Sequence, residues 1–177
     1  VIEDLPSPRP GAGEVVVTKH LRLVGTVSFP ARQKTHDLCE FFTTSDRLCF
    51  WKNFRDRILP VVQSVKKIPS AKLSILELTT RRTDDEIQTE LGDNHVFKNA
   101  SIFCAHLEEL LACQKNGENG DLLTDGRATI SYVQGVNSEV FIVEVCWDSV
   151  LRLWGVGACR PEDFCWYVGH HVLFSNC

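Results

Sequence analysis

In the last third of the chain, apolar and β-branched residues come in short runs that break at turn formers. Residues 128–134, 139–147, 152–159 and 164–168 are rich in Val, Ile, Phe, Tyr and Trp, and Gly135, Asn137, Asp148, Pro161 and Gly169 punctuate them. Such runs suit a pleated, half-buried surface, so this region is expected to form an antiparallel meander. Phe141, Val143, Val145 and Trp147 alternate onto one face, as do Trp154, Val156 and Ala158 on the next strand. Gly155 and Gly157 fall between them. Glycine inside a strand marks curvature or a close approach by another group; curvature is the expectation, and a partner docking on this surface is the alternative.

Upstream the period changes. Residues 15–18 and 21–28 suggest a strand or bent strand pair ending at Pro30, and alternation over 72–79 suggests another strand in or beside the same sheet. Leu48, Trp51, Phe54, Ile58 and Leu59 recur at spacings of three and four, which predicts a helix over 46–59, started by Ser45 or Asp46 and stopped by Pro60. Thr83 and Glu86 fit a capping box for a helix over 84–91 closed by Gly92. Ile102, Phe103, His106, Leu107, Leu110 and Leu111 form one face of a helix over 100–114. Asn99 caps it; the Asn99-Ala100-Ser101 triplet also fits a glycosylation acceptor, which we rank second. Residues 115–127 make a polar loop. Residues 1–13, with three prolines and two glycines, form an arm, and 14–177 a single domain. The expected class is α+β: a helical first half packed on a C-terminal antiparallel β-meander of four to five strands.

Composition narrows the function classes. With 177 residues, 44% of them hydrophobic, the chain can bury a core without disulfides. A net charge of -4 disfavours nucleic acid and anionic lipid as general partners, and no run of about 18 apolar residues is present to span a bilayer. The chain starts at Val1 and contains no Met, as expected if an initiator, leader or tag has been removed. Most of its eight cysteines lie in apolar runs, which favours reduced core thiols and a cytoplasmic location over a disulfide framework.

Candidate chemistry clusters near the C-terminus. Cys159, Cys165, His170, His171 and Cys177 have the residue types of a Zn site, although no family spacing organises them. His36 with Cys39 and Cys104 with His106 make a second Cys/His set, weakened because positions i and i+2 of a helix point apart. Cys165 with His170 or His171 and Asp163 could instead build a thiolate nucleophile, but Cys165 lies in a strand-like run and not at a helix N-terminus. Serine-hydrolase, zincin and P-loop patterns are missing. Tyr132, Phe141, Trp147, Trp154 and Trp166 are expected to be core, since they lack the basic neighbours of a base-stacking platform. Arg55, Arg57, Lys66, Lys67, Arg81 and Arg82 could join in one basic patch if their elements are neighbours.

The order Phe41-Phe42-Thr43-Thr44, Trp51, Phe54-Arg55, the capped helix at Asp84, Gly120-Asp121-Leu122-Leu123 and Val145-Cys146-Trp147-Asp148-Ser149 resembles an uncharacterised group of bacterial proteins over about residues 35–175. The resemblance implies no activity. The expected function is non-enzymatic: an accessory protein that recognises a macromolecule, foremost a protein, through a sheet edge, the loop 115–127 or the helix carrying Arg55, without a cofactor. The rival expectation is a Zn protein or cysteine-dependent enzyme built on the C-terminal Cys/His cluster.

Overall fold

Alternation in Val140–Asp148 sends every second side chain to a buried face, and this strand and its neighbours form the centre of the molecule. The structure, a computed structural model, describes residues 18–36, 38–44, 48–92, 94–161 and 165–175. Its strands are β1 (Leu21–Phe29), β2 (Arg32–His36), β3 (Leu48–Phe50), β4 (Val65–Ile68), β5 (Ala71–Leu78), β6 (Arg82–Thr83), β7 (Val96–Phe97), β8 (Thr129–Gln134), β9 (Val140–Asp148), β10 (Leu153–Cys159), β11 (Cys165–Trp166) and β12 (His171–Ser175). The helices are α1 (Leu38–Thr44), α2 (Lys52–Arg57), α3 (Asp84–Leu91) and α4 (Ala100–Cys113). Eight strands build one mixed sheet in the order β1-β5-β12-β8-β9-β10-β3, with β7 beside β8, and β2-β4 and β6-β11 form two small pairs.

This overturns the expected fold class. Strands take 41% of the described residues and helices 27%, and the helices are short. The first half supplies β1, β3 and β5 to the same sheet, and β3-β10 and β12-β8 pair in parallel. The meander holds for β8-β9-β10 only. Its expected fourth strand leaves the sheet: Cys165 and Trp166 pair with Thr83 and Arg82, while β12 fills the slot between β5 and β8. The helix expected over 46–59 is likewise shortened. Leu48 and Phe50 turn to the core as β3 covers the open edge of β10, and the Trp51 N–H donates to the Val156 carbonyl at 3.0 Å, so the helix begins only at Lys52. The proposed caps Ser45 and Asp46 lie outside the described residues.

Both sheet faces are covered over much of their area. The inner face carries Val133, Phe141, Val143, Val145, Trp154 and Val156 against α1, α2 and α4. The outer face carries Leu76, Leu78, Ile130, Tyr132 and Ile142 against Ile87 of α3 and Trp166 of β11. Two helix starts match the sequence. Thr83 and Glu86 form the reciprocal capping box, and the Asn99 side chain accepts from the Ile102 N–H at 3.1 Å, the cap reading of that residue.

The segment after α4 is an organised loop. Buried Gln114 donates from Nε2 to the Glu118 and Leu122 carbonyls and accepts at Oε1 from the Leu122 N–H, while its own carbonyl receives Trp154 Nε1–H at 2.7 Å. Curvature does not explain the strand glycines: the Trp51 indole lies over Gly155 and Gly157, and a Cβ at Gly157 would collide with it. The close approach is made by the chain's own side chain.

Candidate functional site

The C-terminal residues divide between two environments. Trp166 donates from Nε1 to Asp84 Oδ1 at 2.8 Å, and the Tyr132 hydroxyl donates to the same oxygen at 3.1 Å; all three residues are buried. Burial and the adjacent Asp84 carboxylate push the Tyr132 hydroxyl's pKa up. This is a structural pin between α3, β8 and β11. Beside it, the Arg81 guanidinium faces the Cys165 side chain, which raises the Arg81 pKa, and lies 5.1 Å from the centre of the Tyr167 ring. His170 Nδ1 lies 3.1 Å from the Tyr167 carbonyl, with its ring 5.5 Å from Trp166. Cys165 therefore meets a guanidinium, and no imidazole is seen to bond it among the described residues; Asp163 lies outside them.

His171 belongs to the inner face, directly across from Glu77 on one side and Thr129 on the other. Glu77 pairs with Arg22 at 2.5 Å, and that bond holds its carboxyl below the usual range. Burial lowers the pKa of both His170 and His171. Arg127 ion-pairs with Asp125 and extends over Gly169, whose φ of +85° and missing Cβ make room for the guanidinium. The result is a charged group of Arg22, Glu77, His171, Arg127 and Asp125 at one end of the sheet. Glu77, Asp125 and Arg127 went unnoticed in the sequence because strand register, and no local spacing, assembles them.

The Zn reading is not assembled. Cys159 sits on β10, separated from β12 by β8 and β9, with its thiol 3.8 Å from the Ile142 carbonyl. Cys177 lies outside the described residues, as do the side chains of His36 and Cys39. His106 is buried against Phe29, ring centres 4.4 Å apart, and Cys104 is buried in the same helix. Among the described residues no group of three or more His, Cys, Asp and Glu is placed to hold a metal ion.

The arginines do not converge either. Arg57 donates to the Ala158 carbonyl at 2.9 Å and lies over the Phe141 ring, fastening α2 to β10. Arg82 pairs with Glu86, next to β11. Arg55 is exposed on α2, and Lys66 and Lys67 are exposed on β4. Tyr132, Phe141, Trp147, Trp154 and Trp166 are all buried, so they offer no stacking platform.

Two apolar turns do share one end of the sheet. The register Thr129↔Val145 and His171↔Thr129 puts the β9-β10 hairpin and the β11-β12 turn at the same end of the sheet. β9 runs on to Asp148, so the hairpin projects about 10 Å beyond Thr129. Its tip exposes Val150 (88%) and Leu151 (66%), and the neighbouring turn exposes Tyr167 (57%) and Val168 (56%). Neither turn is loose in its bonding. Asp148 Oδ1 accepts from the Val150 and Leu151 N–H groups at 2.9 and 2.8 Å, and the Gly169 N–H donates to the Leu78 carbonyl at 2.8 Å. No family model matches the chain, and neither does any curated protein or solved structure. Among the described residues, no helix is long and apolar enough to cross a membrane.

Proposed function

We propose that this is a non-enzymatic recognition protein and that its contact surface is the sheet end bearing Val150, Leu151, Tyr167 and Val168. The observation that carries the reading is the exposure of these four large apolar side chains on turns fixed by hydrogen bonds. Scattered exposed apolar residues need no explanation, whereas two apolar tips at one end of a sheet form a surface ready to be buried. Arg81 and Arg152 flank the tips, while Asp125 and Asp148 are engaged with Arg127 and the hairpin backbone. The partner that fits is a protein with an apolar cleft rimmed by carboxylates, met in a reducing, cytoplasmic setting that suits the free thiols of Cys49 and Cys113.

A photo-reactive residue at position 151, compared with one at Val61, tests this. Val61 is exposed near Gln134 and Ser138, at the other end of the sheet. The expected result is a discrete protein adduct from position 151 that Val150→Asp abolishes, with none from position 61. Equal labelling from both positions, or turnover of a broad hydrolase substrate panel by the purified protein, overturns the reading.

A further inference from the structure

The polar loop after α4 repeats one dipeptide. Residues 114–121 read Gln-Lys-Asn-Gly-Glu-Asn-Gly-Asp, with Asn-Gly steps at Asn116 and Asn119, and an Asp-Gly step follows at Asp125. An Asn-Gly step is chemically labile. No side chain on the glycine shields its nitrogen, which is free to attack the asparagine side-chain carbonyl and close a succinimide ring.

The fold treats the three steps differently. At Asn116 the side-chain amide donates to Glu118 Oε1 at 2.8 Å and the Gly117 N–H donates to the Gln114 carbonyl at 3.0 Å, so electrophile and nucleophile are both tied down. At Asp125 both carboxylate oxygens accept from Arg127, which holds the carboxyl below its usual range and leaves it a charged, poor electrophile. Asn119 has neither restraint. It is exposed, as is Gly120, and among the described residues no hydrogen bond engages the Asn119 side chain or the Gly120 N–H. Gly120 is also fixed as a glycine, because a Cβ there would lie 2.5 Å from Gln114 Cδ. The missing side chain that lets the loop close on Gln114 therefore leaves Asn119 open to attack.

We propose that Asn119 is a modification site, at which the folded protein converts asparagine to isoaspartate and thereby opens the Gln114 loop. The Gly120 nitrogen loses its proton and bonds to Asn119 Cγ, the Cγ–Nδ2 bond breaks, and ammonia leaves. Water then opens the succinimide: cleavage at Cγ gives aspartate, and cleavage at the main-chain carbonyl gives isoaspartate, whose backbone is longer by the side-chain methylene. No electron is transferred. The nucleophile is the deprotonated amide, so the rate should rise with pH. The added methylene falls inside the span that Gln114 holds, between its bond to the Glu118 carbonyl and its bonds to the Leu122 carbonyl and N–H. Gln114 also receives Trp154 Nε1–H on its own carbonyl, which links the loop to the core. The new carboxylate lies between Glu118 and Asp121 in the chain, where like charge adds to the strain.

The test is incubation of the full chain at neutral and at mildly alkaline pH, folded and in urea, followed by peptide mass mapping and methyl labelling with an isoaspartyl methyltransferase. The expected result in the folded chain is conversion at Asn119 at least about tenfold faster than at Asn116, with comparable rates at both asparagines in urea. Asn119→Gln should abolish methyl labelling of the folded chain. The isoaspartyl form, isolated by chromatography, should melt at a lower temperature and show shifted Trp emission. Asn119→Asp adds the charge without the methylene and should stay near the unmodified protein. Conversion at Asn116 as fast as at Asn119 in the folded chain, or no conversion at Asn119 over an interval in which the chain in urea converts, overturns the site. An isoaspartyl form that melts with the unmodified protein overturns the opening of the loop.

Discussion

The two faces of the sheet are held by different physics. The inner face is a continuous apolar wall in which β9 and β10 offer Phe141, Val143, Val145, Trp154 and Val156 to α1, α2 and α4. Its stability rests on area removed from water and close packing. The outer face is assembled from specific arrivals: Trp166 and Tyr132 meet on one Asp84 oxygen, and Trp51 lies across two glycines. Packing tolerates substitution of similar volume, whereas a polar pin fails when one member is lost.

The strongest way to break this contrast is to truncate one residue on each face. Trp154→Ala should cost about 3–5 kcal/mol through its cavity and the lost bond to Gln114. Asp84→Ala should cost about 3 kcal/mol by leaving two buried donors unpaired, although it removes little apolar area. Urea denaturation measures both; a near-zero cost for Asp84→Ala would mean that the outer face is also held by packing alone.

A pH series sharpens the comparison from the inner side. Burial, with the Arg32 charge adding to it, lowers His106 from 6.5 to about 4, so the native state holds the imidazole neutral. Between those values the unfolded chain binds more protons, and stability rises with pH. His106 thus contributes fully above pH 6.5 and its contribution is lost as pH falls toward 4, by at most about 3 kcal/mol. His106→Leu should flatten that limb of the stability curve measured from pH 7 to 4.

Smaller effects belong to the outer face. Gly157→Ala should cost about 1–3 kcal/mol and lift the already part-exposed Trp51 indole off the sheet, seen as a small red shift in emission, while Gly155→Ala meets its nearest atom at 3.3 Å and costs less. Burial raises the Glu144 pKa, so its charging weakens the fold as pH rises. Glu144→Gln should add less than about 1 kcal/mol at neutral pH and nothing once Glu144 is protonated.

Sequence legibility followed the same division. The β8-β9-β10 alternation, the Asn99 cap and the Thr83-Glu86 capping box were readable because each is a local pattern with a local cause. Leu48 and Phe50 fit a helix face and a strand face equally well, and the open edge of β10 decided between them. Trp166 was placed in the main sheet because nothing near it reveals that Asp84, far upstream, takes its indole N–H. The candidate surfaces were harder still. His170 and His171 could be singled out by type, but Glu77, Asp125 and Arg127 join them only through register, and Gly155 acquires its neighbours from two other strands.

The position of β12 gives the protein an order of events during synthesis. This strand follows β8, β9 and β10 along the chain, yet it sits between β5 and β8. Until it leaves the ribosome, β1 and β5 form an isolated two-stranded ribbon, a unit with little stability in water. Leu73 and Ile75 of that ribbon would stay uncovered while β8, β9 and β10 are made, a long interval for strand edges that can pair with other chains. The main sheet is thus closed from its middle, by a strand made after the neighbours on both of its sides.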